Sequence, residues 1–202
     1  NTHEGSKKNI SAHYDLNNDF FQLFLDPCMM YSSAVFRSPE QSLNEAAIYK
    51  LDLICQQLEL QPEDHLIEIG TGWGGMAIHA AKHYGCRVTT ATISQQQYDF
   101  AKTSIEQEGL SDRITLILKD YRELEGQYDK LVSIEMIEAV GAEFQQGYFE
   151  ICNKLLKPNG RALIQAITIS DSIYEQYLND TDFIRQYIFP GGCLPTISRM
   201  RQ

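Results

Sequence analysis

The chain has 202 residues, 43% of them apolar, and a formal net charge of −10. That length supports one globular domain with a real core, and the acidic balance argues against sequence-independent binding to nucleic acid. No apolar run approaches the length of a transmembrane helix, and no signal peptide opens the chain.

Residues 1–12 are polar and read as a flexible lead-in. A strongly apolar helix is expected over 20–25, capped by Asn17, Asn18 or Asp19 and stopped by Asp26-Pro27. The stretch 29–36 mixes apolar and hydroxyl residues; an α/β core does not require it, so it is expected to form a lid over a site. Residues 42–58 carry apolar positions at helical spacing. Residues 65–69 then read as a short buried strand, 70–75 as a glycine turn and 76–84 as a helix. Strands follow over 86–93, 114–119, 128–134 and 161–169. Helices are expected over 95–107, capped by Ser94 and ended by Gly109, over 143–156 and over 172–187, with a turn at 157–160. Alternating strands and helices at short intervals predict an α/β fold with a mostly parallel, doubly wound sheet. The expected organisation is an N-terminal helical lid segment over 1–60 and a Rossmann-like domain over 61–202.

The five cysteines, Cys28, Cys55, Cys86, Cys152 and Cys193, are odd in number and form no C-x-x-C pair, which is simplest for a reduced, cytoplasmic compartment. No Cys/His cluster has ligand spacing, so no metal is expected. His79 and His83, four apart, read as a solvated helix face.

The glycine turn distinguishes between ligands. Glu68 lies inside the strand, two residues before Gly70, and a carboxylate there suits a cationic ligand group better than a pyrophosphate. The pattern E-x-G-x-G-x-G resembles the first motif of class I S-adenosylmethionine (SAM) methyltransferases. The expected cofactor site is Glu68, Gly70, Thr71 and Gly72, joined by groups at the carboxyl ends of later strands. Thr92 and Ile93 end strand two, where many methyltransferases carry an acid for the ribose; Gln97, which both donates and accepts, is expected to share that contact. Asp120 follows strand three and is placed to accept from the adenine amino group, with Tyr121 stacking on the base. After strand four stand Glu135 and Glu138. Two carboxylates there are costly to bury without a reason; a helix-start acid is the plain alternative for each.

His13-Tyr14-Asp15-Leu16, Phe24-Leu25-Asp26-Pro27, Tyr31-Ser32-Ser33-Ala34, the Glu68 to Gly75 motif, Ile137-Glu138-Ala139-Val140-Gly141 and Phe189-Pro190-Gly191-Gly192 occur in this order. Together they resemble the cyclopropane-fatty-acyl-phospholipid and mycolic acid cyclopropane synthases, and the form from Glu135 to Gly141 is closer to the phospholipid branch. The resemblance implies transfer of a methylene group from SAM to the double bond of unsaturated phospholipid acyl chains, at a membrane surface. It implies a bicarbonate ion as base, held by Glu138 and the backbone N–H of Ile134. It also implies that Tyr31 and Ser32 touch SAM and that Tyr14 lies near the sulfonium, whose charge an aromatic face favours. Two positions depart from the pattern: Ser33 stands where many members have Cys, and Gln165 where many have His. Both keep a hydrogen-bond donor. Methyl-branch formation, methylation of a small molecule, and a non-catalytic lipid- or SAM-binding module are the alternatives. The sheet is expected to stop before the last two strands of class I methyltransferases. That leaves residues 161–169 as an apolar edge, which self-association into a homodimer would cover.

Overall fold

The computed structural model describes residues 18–201. Its centre is a five-stranded sheet: β1 (His65–Ile69), β2 (Arg87–Thr92), β3 (Ile114–Leu118), β4 (Tyr128–Ile134) and β5 (Leu156–Gln165), in the order β3-β2-β1-β4-β5. Every pairing is parallel. A parallel sheet is covered on both faces, and successive residues of β1 show how. Leu66 packs with Leu51, Ile54, Cys55 and Leu58 of helix α2 (Leu43–Gln57) and its C-cap, and with Met76 of helix α3 (Gly75–His79) and Ile105 of helix α4 (Gln95–Gln107). Ile67 and Ile69 face the other way, into a cluster with Tyr148, Cys152 and Leu155 of helix α5 (Gln145–Leu155). This is the parallel, doubly wound sheet that the alternation of elements predicts.

Local chemistry sets the helix starts. Ser42 and Glu45 form a capping box at the head of α2. Ser94 accepts from the N–H of Gln97 at the head of α4. Before the sheet, helix α1 (Asn18–Gln22) is shorter than the expected 20–25. The Asp26 carboxylate ends it by folding the chain back, accepting from the N–H groups of Cys28 and Met30 at 2.9 Å each. Phe21, Met29 and Trp73 then form a small separate core, and Asn18 accepts from the Trp73 indole at 2.8 Å.

Three further elements differ more widely from expectation. The helix after the glycine turn begins at Gly75 and finishes as a π-helical turn, Ala80–Tyr84. Strand β5 starts earlier and stops earlier than 161–169. Its first residue, Leu156, pairs with Tyr128, the expected turn at 157–160 bulges out, and pairing resumes at Arg161. It stops at Gln165 because β4 has ended: the next N–H groups go to the Glu138 carboxylate, from Ile167, and to the Pro195 carbonyl, from Ile169. The single helix expected over 172–187 is broken into α6 (Tyr174–Asn179) and a π-turn (Ile184–Ile188). Asp180 is extended, and Asp182 accepts from the N–H of Arg185 to start the second turn. The Arg185 guanidinium caps the break, donating to the carbonyls of Tyr177 and Asp180 at 2.5 Å each. A short helix α7 (Ile197–Met200) follows. Among the described residues, no helix is long and apolar enough to cross a membrane.

Candidate active site

The strand order turns between β1 and β4, so the ligand crevice opens outside their carboxyl ends. On the β1 side lies the glycine turn. Gly72 has φ +53°, and no atom lies within 4 Å of where a side chain would begin. A ligand can therefore approach the backbone closely there. Gly75 is the opposite case: a Cβ would sit 2.6 Å from Met30 Sδ and 2.7 Å from the Cys28 carbonyl oxygen. The absence of a side chain lets the 26–33 segment lie directly on the turn, bringing Tyr31, Ser32 and Ser33 to the mouth of the crevice.

Beneath the turn sits a buried polar chain. Glu68 is 2% exposed and accepts from the Thr90 hydroxyl at 2.6 Å; Thr90 and Thr71 hydroxyls share a 2.7 Å bond. Burial pushes the Glu68 carboxyl up to about 8, against the lowering effects of the Thr90 bond and of Lys50. Lys50, on α2, is equally buried at 2%. Its ammonium donates to Ser32 Oγ at 2.7 Å. Burial pulls its pKa down to about 8, opposed by the fields of Glu135, Asp26 and Glu68. Lys50 thus ties the mouth segment, α2 and the carboxylates into one electrostatic unit.

On the β4 side, Glu135 follows the strand at φ +48°. A non-glycine residue there costs about 1–2 kcal/mol, a strain that tends to collect at functional positions. Its Oε1 accepts two bonds, from the N–H of Ser33 at 2.9 Å and from Gln165 Nε2 at 2.8 Å. Gln165 Nε2 also reaches the Ser33 carbonyl at 3.3 Å. Met136 packs against Gly70, with its Cγ 3.3 Å from where a Gly70 side chain would begin, so this cluster adjoins the cofactor turn. Glu138 accepts from the N–H of Ile167 at 2.5 Å through Oε1, while its buried Oε2 has no hydrogen-bond partner among the described residues. Burial raises the Glu138 carboxyl, and the Ile167 bond lowers it. The Glu138 carbonyl accepts from the N–H of Cys193 at 2.7 Å, so the Pro190-Gly191-Gly192 stretch leads the chain back onto this loop.

The expected residues therefore divide. Glu68, Gly70, Thr71 and Gly72 lie at the β1 end of the crevice; Ser33 and Gln165 meet at Glu135 after β4, and Glu138 is held separately by the N–H of Ile167. Tyr31 is half-buried among Phe21, Phe24, Trp73 and Phe189. Thr92 and Gln97 do come together at the end of β2 beside half-buried Ile93, but Thr92 donates to Gln97 Oε1 at 3.0 Å and both are buried. Asp120 is gripped by the Arg122 guanidinium, at 2.8 Å through Nε and 2.5 Å through a terminal nitrogen. The Tyr121 ring packs edge-on to Tyr148. Ile134 is the last residue of β4, paired with Gln165; the backbone donor that meets Glu138 is Ile167. Tyr14 lies outside the described residues. His79 is not solvated: it is buried and meets Asp52 Oδ1 at 3.1 Å, because its helix packs on α2.

Sequence reasoning missed Lys50 and Ile167. Lys50 had a signal. It occupies the middle of the i, i+4 series Ala46, Lys50, Ile54, which is the buried stripe of α2. Ile167 had none, because a backbone N–H is not encoded by its side chain.

The chain is similar to known proteins over most of its length. The family model described as mycolic acid cyclopropane synthetase matches residues 2–202. The tuberculostearic acid methyltransferase UfaA1 of Mycobacterium tuberculosis is 39% identical over 198 residues, covering 95% of this chain and 46% of that protein. The cyclopropane-fatty-acyl-phospholipid synthase of Escherichia coli is 40% identical over 190 residues, covering 94% and 47%. The chain thus spans about half the length of these curated relatives. Among solved structures, the mycolic acid cyclopropane synthase CmaA1 complexed with SAH and CTAB superposes with a TM-score of 0.88 at 33% identity, covering 96% of this chain and 72% of that one.

Proposed function

The chain belongs to the mycolic acid cyclopropane synthetase family, and from that membership we propose that it transfers a one-carbon unit from SAM to the double bond of an unsaturated acyl chain carried by a phospholipid. The observation that carries this reading is the meeting, at one crevice between β1 and β4, of an open glycine turn with a cluster of carboxylates and amide donors. When bound, SAM supplies an electrophilic methyl group on a positively charged sulfur. Glu68 and Lys50 set the charge beneath its amino acid end, and Gly72 leaves room for it. Residues 18–60 cover it, with Asp26 shaping the fold-back and α2 as the anchor. Exposed Phe20, Leu23 and Phe24 flank this cover and offer apolar surface to lipid, which fits a protein peripheral to a membrane on its cytoplasmic side.

The bicarbonate base implied by the family pattern does not fit these residues. The donors that could hold an anion are engaged: the Ser33 N–H and Gln165 Nε2 by Glu135, and the Ile167 N–H by Glu138.

A second reading, a methyl-branched product on the same lipid, is favoured by the likeness to the tuberculostearic acid methyltransferase. The test is to incubate the full-length protein with methyl-labelled SAM and vesicles of a monounsaturated phospholipid, then analyse the acyl chains by mass spectrometry. Label in a chain heavier by one CH2 is expected. Its double bond is lost to a ring in the first reading; a chain of the same mass that keeps a double bond at a methyl or methylene branch supports the second. SAM binding without label in lipid would overturn both.

A further inference from the structure

We propose that the Glu135 side chain is the catalytic base of this enzyme, a built-in carboxylate occupying the place of a bound anion. The inference rests on the reaction proposed above, but its argument comes from the β4–β5 end of the crevice. Glu135 stands directly after β4, next to the switch between β1 and β4 where the cofactor turn opens. Its backbone is held in the left-handed region, which aims the carboxylate back across the top of β5 to Gln165 and over to Ser33. Those two donors converge on one oxygen, as they would on a bound oxyanion. Lys50 provides a buried ammonium within the field of Glu135, so negative charge at this place is matched. An amide oxygen would accept both bonds as well; the carboxylate adds charge to match Lys50 and a group that can take a proton.

The step balances without another reactant. The π pair of the alkene forms a bond to the donated methyl carbon, and the S–C pair stays on sulfur. The adjacent carbon is left cationic. Glu135 removes a proton from the transferred carbon, and that C–H pair closes the third side of the ring. Glu135 leaves as a carboxylic acid and returns its proton to solvent.

The test uses the full-length protein and sodium bicarbonate, with sodium chloride as control. Loaded with SAM, the protein is expected to show no rise in melting temperature with bicarbonate. Glu135→Gly, which suits the left-handed backbone and frees the Ser33 and Gln165 donors, is expected to show a saturable rise. A rise in the unsubstituted protein, or none in Glu135→Gly, overturns the proposal, and neither readout depends on turnover. Where lipid is labelled, removal of carbonate should leave the rate within twofold, and Glu135→Gln should slow it by about 100-fold or more with SAM affinity kept. Gln retains the oxygen that accepts both bonds, so unchanged turnover in Glu135→Gln would reduce Glu135 to a clamp and overturn the assignment. Failure of the unsubstituted protein to label any lipid would instead sink the proposed function, leaving the bicarbonate readout to decide the inference.

Discussion

At the residue scale, the site is a problem of buried charge. Glu68 and Lys50 are both nearly inaccessible, and burial moves each toward neutrality. The Glu68 carboxyl, raised to about 8, is largely protonated near neutral pH without a cofactor. A cationic ligand group favours the carboxylate, so SAM binding should release a proton below pH 8. Affinity should tighten from pH 6 to 8, approaching about tenfold per unit. The same shift has a folding consequence of fixed sign. Glu68 is an acid whose folded pKa is raised, so its contribution to stability is present below the ordinary carboxylate value of about 4.3 and fades as pH rises through 8. Calorimetry of SAM binding in buffers of different ionisation enthalpy measures the proton directly. Flat affinity with no proton exchange would show that Glu68 does not face the cofactor. Residue identity announced Glu68 through its place beside the glycines. The partnership with Lys50 and Thr90 could not be read, because it joins positions on three different elements.

At the element scale, α2 has two roles. Its buried stripe completes the core over β1, and the lysine within that stripe reaches up to Ser32. Leu51, fully buried between the helix and the sheet, measures the first role. Leu51→Ala should cost about 2–5 kcal/mol, read as a lower denaturant midpoint at unchanged slope. A detachable cover would lose far less, so a change below about 1 kcal/mol would separate α2 from the core. The elements that departed from periodicity did so for local electrostatic reasons. The helix expected over 172–187 breaks where Arg185 can take up freed carbonyls. Strand β5 ends where side chain and loop acceptors replace a neighbouring strand.

At the scale of the whole molecule, the sheet has an open side. Among the described residues β5 pairs only with β4, and Leu163 and Ile164 on it are half-buried. An apolar strand with free N–H and carbonyl groups is a template for pairing. A polypeptide of these 202 residues should therefore self-associate, by pairing or exchanging a segment across this edge. Light scattering over a dilution series checks it; a monomer that persists at high concentration and unfolds cooperatively would exclude it. The sequence by itself determined the five strands, the order of strand, glycine turn and helix, and the family. These follow from local periodicity and from residues adjacent in the chain. Only the tertiary structure decided that Ser33 and Gln165, 132 positions apart, converge with Glu135, that Ile167 is the backbone donor to Glu138, and that His79 is buried. The physical reason is that hydrogen bonds and burial depend on distance in space. A parallel sheet brings together the ends of strands that the sequence holds far apart.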